Sequence, residues 1–521
     1  MGKFICDLKR VYEDNIRSAL IAFVISAFGT YVFWGNEVIN PDTLIRGIPH
    51  VLGSWDIQIG RYGLYLFYAL NRGFSSGYFT SFISMFFFLL AGVCIVDLYE
   101  VKNELVKIIV LVLIIASPYS IAVITFPFCS DANGASVFFA VFSIWIWKYF
   151  KEDKLAIILG AFSLAFSISI YQSNIGITGI VGLTFVIKEV LIDKKNLKKF
   201  LSFAILVIMG SVLYYIGLKI SLIVYNVEIS AYKGGSEVNI ANIIKKLPES
   251  IPQSYREFFS FYFTKSLSMS NSFGTSMIYI ILGITSIASI IVFIKEKKLE
   301  RVQIILVCIL LLLSPVACNL IDIIIPGTGM LILLTAPMMV FPVVLFTLSY
   351  SLMKENKIIN KLMRSILAIF LLFLALNYNF INNVDGVEQK RHEDQTLFLA
   401  NRIYSKLEDK GALTNHELKV GIYGNPSDGN YKWKDYMSEY INYHANLGYI
   451  YEHSYPYSFR GWSEVFKRYL GDTSINWCNV EDTEKILKSD EFKKAPVYPD
   501  EGSILQIDDV LVVKMANYTE N

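Results

Sequence analysis

Residues 1–380 alternate between long apolar runs and short polar breaks, and the runs fall near 17–34, 77–97, 106–126, 134–150, 155–171, 174–191, 200–222, 276–294, 302–322, 329–352 and 362–380. A helix rising 1.5 Å per residue needs roughly 20 apolar residues to cross a ~30 Å hydrocarbon core. In lipid every backbone polar group must be bonded internally, and a helix achieves this within one segment. The pattern therefore predicts an all-α, polytopic membrane bundle of about eleven transmembrane helices. The fifth and sixth runs are divided only by Tyr171-Gln172-Ser173-Asn174.

Beyond Asn382 the pattern changes. A helical spacing of Leu397, Leu399, Ile403 and Leu407 covers 396–409, Leu418–Tyr423 reads as a strand, and an apolar alternation runs from Ile507 to Met515. These predict a small α/β domain over 381–521, following a membrane domain over 1–380. Within the first polar loop, 35–76, residues 62–72 are apolar but too short to span, as expected of a helix lying flat on the membrane. The long loop 223–275 carries Tyr255, Phe258, Phe259, Phe261, Tyr262 and Phe263 and predicts further helices lying in the interface.

Composition agrees with this class: 54% of residues are hydrophobic, more than soluble domains carry. The net charge of +2 is uninformative, because the charge is distributed by side. Six basic patches separate successive pairs of runs: Lys3/Lys9/Arg10/Arg17, Lys102/Lys107, Lys148/Lys151/Lys154, Lys188/Lys194/Lys195/Lys198/Lys199, Lys295/Lys297/Lys298/Arg301 and Lys354/Lys357/Lys361/Arg364. Cytoplasmic loops hold the excess of Lys and Arg. All six patches then lie inside, the first run is an uncleaved signal-anchor, and the N-terminus is cytoplasmic. The turns 35–76, 127–133, 172–174 and 323–328, the loop 223–275 and the C-terminal domain face outward. A multi-pass protein of a bacterial cytoplasmic membrane is expected, with membrane lipid as its surroundings and no nucleic acid as partner. The six cysteines show no paired or metal-like spacing, and no histidine lies in a run, so neither a bound metal nor a tightly held cofactor is expected.

Chemistry then belongs to the outer turns. The first loop is the richest in acids, cations and aromatics: Glu37, Asp42 and Asp56 with Arg46 and Arg61. A carboxylate flanked by arginines suits a base that deprotonates a hydroxyl while cations stabilise a departing phosphate. Simpler readings stand beside each: Asn40-Pro41-Asp42 as a turn, Asp56 as a cap or as the partner of Arg61, Arg61 as a snorkelling side chain. Lys219 near the outer end of its run and Arg256 beside Glu257 are further cations. Asp131 is a candidate or an N-cap, Tyr171 and Gln172 candidates for sugar hydrogen bonding or a simple helix link. Asn319 and Asp322 lie near the outer face. The aromatic stretch Tyr449–Tyr457 is read first as packing and second as a sugar-stacking surface.

The order of one crossing, an acidic loop with Asp42, Trp55-Asp56 followed by Gly60-Arg61, a short interfacial helix, then Ser130-Asp131-Ala132-Asn133 and Tyr171-Gln172 resembles the GT-C membrane glycosyltransferases. More narrowly it is similar to the phage-type O-antigen glucosyltransferases carrying the glucosyltransferase II domain, over residues 15–380. That resemblance implies transfer from a polyprenyl-phosphate sugar, typically undecaprenyl-phosphate glucose, to a polysaccharide acceptor on the outer face, with inversion. A separate donor synthase and flippase would serve it. Here Pro41 precedes Asp42 where the family often shows two adjacent acids, and Ile59 stands where an acid precedes Gly-Arg. The base is therefore left among Asp42, Asp56 and Glu37, in that order. Arg61, Arg46, Lys219 and Arg256 are expected at the donor phosphate, and Asp131, Tyr171 and Gln172 at sugar or acceptor. Richness in Lys, Ile and Asn points to an AT-rich bacterial genome, so teichoic acid or capsule is a candidate acceptor. A transporter or flippase of lipid-linked sugars is disfavoured because the acids cluster in one loop rather than at mid-membrane. A polysaccharide polymerase would place arginines in two large outer loops.

Overall fold

The structure, a computed structural model, describes residues 2–46, 50, 52–74, 76–149, 154–192, 197–263, 273–325, 332–353, 357–424, 458–471 and 473–518. Within the described residues each predicted run is mainly helical. In chain order the helices are Gly2–Gly29, Gly77–Leu98, Glu104–Ile115 with Pro118–Ile124, Ser130–Tyr149, Lys154–Ile170, Ile175–Ile192, Leu197–Val224, Phe273–Lys297, Arg301–Leu312 with Ser314–Cys318 and Leu320–Ile324, Ala336–Leu352, and Ile358–Asp409. Among the described residues five are long and apolar enough to cross a membrane, or six when the pair Glu104–Ile115 and Pro118–Ile124, bent by 46°, is one span. The sequence predicts about eleven. Proline accounts for part of the difference: Pro118 and Pro315 remove a backbone donor and disfavour helix at the preceding residue, so two runs are broken. Others are short, with 17 residues in Lys154–Ile170 and in Ala336–Leu352.

The chain divides into two compact units: one holds Met1–Gly35 and Val51–Asn383, the other Asn36–His50 and most of the chain from Val384 onward. In the first unit the basic patches converge on one end. Buried Asp97 accepts from Arg10 (3.0 Å), Trp145 Nε1 (2.9 Å) and Tyr149 Oη (2.6 Å), while Lys148 Nζ donates to its carbonyl at 2.8 Å. Lys188 Nζ reaches Leu98 O at 2.9 Å and Glu100 at 3.0 Å, and Lys107 Nζ reaches Asp14 O at 2.5 Å. Gln303, beside Arg301, donates to Val190 O at 2.8 Å, and Lys357 pairs with Glu296 at 2.9 Å. Five of the six patches thus make a contact through their own Lys or Arg, and the fifth, Lys295/Lys297/Lys298/Arg301, adjoins Glu296 and Gln303. The turns between them gather elsewhere: Leu52, Leu64, Cys129, Ile170 and Tyr171 share one apolar cluster with Phe126, Phe128 and Leu333.

The long loop contributes the helix Ile240–Phe263, whose Phe258, Phe261 and Tyr262 are buried. Asn319 Nδ2 donates to Ser254 O at 2.9 Å, and Tyr262 Oη to Met338 O at 2.6 Å, so this helix is tied to the bundle. Contact with lipid explains the many exposed apolar side chains of Leu197–Val224, among them Ile205, Ile208 and Ile216.

The second unit holds a four-stranded sheet, β1 Lys419–Tyr423, β2 Asn476–Trp477, β3 Ile504–Ile507 and β4 Val510–Lys514, in the order β2-β1-β4-β3. β1 runs parallel to β2 and β4, while β3 pairs antiparallel with β4. β4 is buried at all five positions, which its Val-Leu-Val-Val run requires of a central strand. Its terminal Lys514 is tolerated because Nζ donates to Phe492 O and Ala495 O, at 2.9 and 2.8 Å. Leu399, Ala400, Ile403 and Leu407 form the stripe that covers Val420, Ile422 and Val513, joined by Ile39 and Leu44 of the first loop. Tyr449–Tyr457 lies outside the described residues.

Candidate functional site

In the first unit the site is built on one elbow of backbone. The short helix Ser54–Gln58 buries Asp56 and Ile57 and turns Trp55 outward. The chain then reverses: Gly60 N–H bonds to Ile57 O at 2.9 Å and Arg61 N–H to Asp56 O at 2.7 Å. Gly60 takes φ +81°, a left-handed conformation that glycine adopts without steric cost. A second helix, Leu64–Asn71, leaves the elbow, anchored by Gly63 N–H on Ser169 O at 2.8 Å.

Side chains from distant helices hold this elbow. Gln172 Nε2 donates to Ile59 O at 2.7 Å and to Tyr214 Oη at 3.2 Å; Tyr214 Oη donates to Gly60 O at 3.2 Å. Tyr62 Oη donates to Tyr214 O at 3.1 Å, with the two rings stacked 5.8 Å apart. The elbow presents Arg61, whose guanidinium lies over the Tyr171 ring at 4.8 Å. Its Nε is buried and has no hydrogen-bond partner, and among the described residues Arg61 forms no ion pair. The guanidinium is thus turned onto an aromatic face and is neither paired with Asp56 nor extended away as a snorkelling side chain would be.

The turn 127–133 adjoins this platform. Cys129 and Ala132 pack in the same cluster as Tyr171. Asp131, 5% exposed, accepts from the Ala132 N–H at 2.8 Å, with the polar side chain of Asn71, at the end of the helix that leaves the elbow, nearby. It lies ahead of the apolar run 134–150. Burial outweighs these contacts and pushes its carboxyl up from 3.8 to about 6. Because the folded value is the higher one, the stability tied to its proton is present below about pH 3.8 and is lost as pH rises through about 6. We expect Asp131→Asn to flatten thermal stability in detergent across that window, removing a slope worth on the order of 2–3 kcal/mol. A variant whose melting temperature keeps the wild-type pH dependence would contradict this assignment.

The remaining candidates are placed differently. Glu37, Asp42 and Arg46 fall with the second unit. Asn40 Oδ1 accepts from the Thr43 N–H at 2.9 Å, so Asn40 caps Pro41–Arg46 and Asp42 sits exposed in the first turn. Asp42 makes no hydrogen bond or ion pair among the described residues. Glu37 is half-buried with φ 50°, and Arg46 ends the helix. Asp56 is 1% exposed. Lys219 is exposed and lies over the Tyr215 ring at 5.4 Å. Arg256 donates to Gln253 Oε1 at 3.3 Å, while Glu257, its expected partner, is buried and accepts from Gln253 Nε2 at 2.6 Å. The structure therefore brings Arg61, Tyr171, Gln172 and Asp131 together in one unit. Tyr214 and Asn71 complete the cluster unforeseen; Tyr214 is a polar side chain within an apolar run, the one signal it gave.

A Cβ at Gly60 would fall on Tyr214 Oη and within 2.7 Å of Gln172 Nε2. Gly60→Ala would also pay about 1–2 kcal/mol for a left-handed backbone. Relief requires the clamp to open, and a shift of about 1 Å can cost 100-fold in rate. We expect Gly60→Ala to lower activity about 100-fold, measured as turnover in vesicles; activity at the wild-type level would refute the clamp.

Residues 31–349 match the family described as glucosyl transferase GtrII, more than half of the 521-residue chain. No curated protein and no solved structure matches it. The matched segment contains Asp42, the elbow, the Asp131 turn and the Tyr171-Gln172 link. Its membrane-type helices agree with a glucosyltransferase working on a membrane. This chain belongs to the glucosyl transferase GtrII family.

Proposed function

We propose that the protein transfers a sugar, glucose by its family, from an undecaprenyl-phosphate-linked donor to a cell-envelope polysaccharide on the outer face of a bacterial cytoplasmic membrane. The observation that carries this is Arg61: a guanidinium with a buried, unpartnered Nε, held on Tyr171 by a clamped elbow. Arginine binds phosphate through a planar fork of donors, and a preset cation stabilises charge on a departing group at no reorganisation cost. The acceptor oxygen attacks the anomeric carbon in line. The bond from that carbon to the phosphate oxygen breaks, and the lipid phosphate leaves with the electron pair near Arg61. A carboxylate takes the hydroxyl proton.

Asp42 leads as that base because its carboxylate is exposed and uncommitted, whereas Asp56 is buried; Glu37 comes third. Tyr171 and Gln172 act by holding Arg61, and Asp131 by supporting the same cluster. Arg46, Lys219 and Arg256 remain outer cations for the donor. The convergence of the basic patches supports an inside placement of that end, eleven crossings and an extracytoplasmic C-terminal domain. Vesicles holding the purified protein should discharge undecaprenyl-phosphate glucose onto envelope polysaccharide fragments, releasing undecaprenyl phosphate. No release from any such donor would sink this reading.

A further inference from the structure

Apart from Asn36–His50, the second unit lies beyond residue 349, where the family match ends. Its sheet shows what it does with that one early segment. Successive side chains of a strand point to opposite faces. Tyr423, Val510 and Val512 pack on one face with Ile486 and Phe492. Val420, Ile422 and Val513 fill the other, together with Ile403 and Trp462. Ile39 and Leu44, 3% and 2% exposed, enter this second core, and the helix Ser458–Val465 packs on Pro41–Arg46.

That docking also sets which way the acid of the segment faces. Asn40 and Thr43 are buried beside Ile39 and Leu44, and the Thr43 hydroxyl donates to Asn40 Oδ1 at 3.0 Å. These residues make the inward side, while Asp42 is exposed. A helix of six residues is far below the roughly 12–15 at which isolated helices become stable, so its shape comes from the core that grips it. Resting on Asp42 as the proposed base, we propose that the C-terminal unit is a working part of the transferase. It holds the helix that carries the base, with Leu44 and Trp462 as positioning residues. Proton abstraction during an in-line attack needs a carboxylate in a fixed direction, and a displacement of about 1 Å can cost 100-fold in rate.

The test loosens the same unit in two places, in full-length protein in vesicles, below the melting temperature of every variant. Leu44→Ala and Trp462→Ala open the core that grips the segment. Each should lower kcat about tenfold or more and leave the donor KM within about twofold of wild type. Ile486→Ala opens the opposite face of the sheet and should keep kcat within about twofold of wild type. Leu44→Met and Trp462→Phe refill most of the volume and should return to within about threefold of wild type. In an Asp42→Asn background, with the residual rate followed over long incubations, Leu44→Ala should add less than about a twofold loss, because it acts through that carboxylate. Wild-type kcat in Leu44→Ala overturns the proposal, whether or not Trp462→Ala folds. An equal loss in Ile486→Ala, a parallel rise in donor KM, or a full further loss on top of Asp42→Asn overturns it too. Normal transfer by Asp42→Asn would remove the base itself and this role with it, whereas normal kcat in Leu44→Ala beside an inactive Asp42→Asn removes only the role of the C-terminal unit.

Discussion

Replacing Asp42 by Asn is expected to abolish sugar transfer while leaving the protein at wild-type levels in the membrane. A positioned general base contributes roughly 100- to 10,000-fold, and an amide of equal size cannot accept the acceptor's proton. The structure explains why folding should survive. Asp42 is exposed, and the helix Pro41–Arg46 is capped by Asn40, whose side chain also receives the Thr43 hydroxyl at 3.0 Å. Ile39 and Leu44, which fix this segment in an apolar core, are untouched. Asn40→Ala makes the control: it should cost about 1 kcal/mol of stability through the lost cap and leave the Asp42 carboxylate in place. Transfer by Asp42→Asn at the wild-type rate would rule Asp42 out and pass the role to Asp56 or Glu37.

That experiment bears on a segment whose location was hidden in the sequence. Residues 36–50 read as part of one continuous outer loop, yet they fall with the C-terminal unit because Ile39 and Leu44 pack against Leu399, Ile403 and Trp462. Such packing joins positions more than 350 residues apart, and no local periodicity encodes it. A similar limit applies at Asn382, where composition turns polar but the helix Ile358–Asp409 continues. Hydropathy reports surroundings; the backbone follows propensity, and residues such as Glu388, Gln389, Lys390 and Leu397 favour helix in water as in lipid.

Other elements were legible because their signal is local. The strand at 419–423 was legible, whereas the alternation expected over 507–515 is a hairpin: β3 lies ahead of it, β4 is buried at every position, and Asp508 at φ 52° makes the tight turn between them. Arg61, Tyr171 and Gln172 were each singled out by residue type near a run end, but their meeting is a tertiary fact. Tyr214 was missed for the same reason: within Leu197–Val224 nothing distinguishes the tyrosine that joins Gln172 to Gly60 from the exposed Tyr215 one position on.

Arg61 separates function from stability most sharply. Its buried Nε lacks a hydrogen bond, and an unsatisfied buried donor costs roughly 1–3 kcal/mol. Arg61→Met places an apolar side chain beside Tyr171 and removes that cost. The variant should therefore be at least as thermostable as wild type in detergent. Its kcat/KM for undecaprenyl-phosphate glucose should nevertheless fall about 100- to 1,000-fold, the usual loss when one preset donor to a developing anion is removed. Arg61→Lys restores charge but neither the planar fork nor the stacking, so it should recover only part of the activity. Acceptor KM should not move in either variant, because in the proposed mechanism the guanidinium serves the phosphate. A destabilised Arg61→Met, or one that transfers sugar normally, would mean that the cation packs the elbow and does not receive the lipid phosphate.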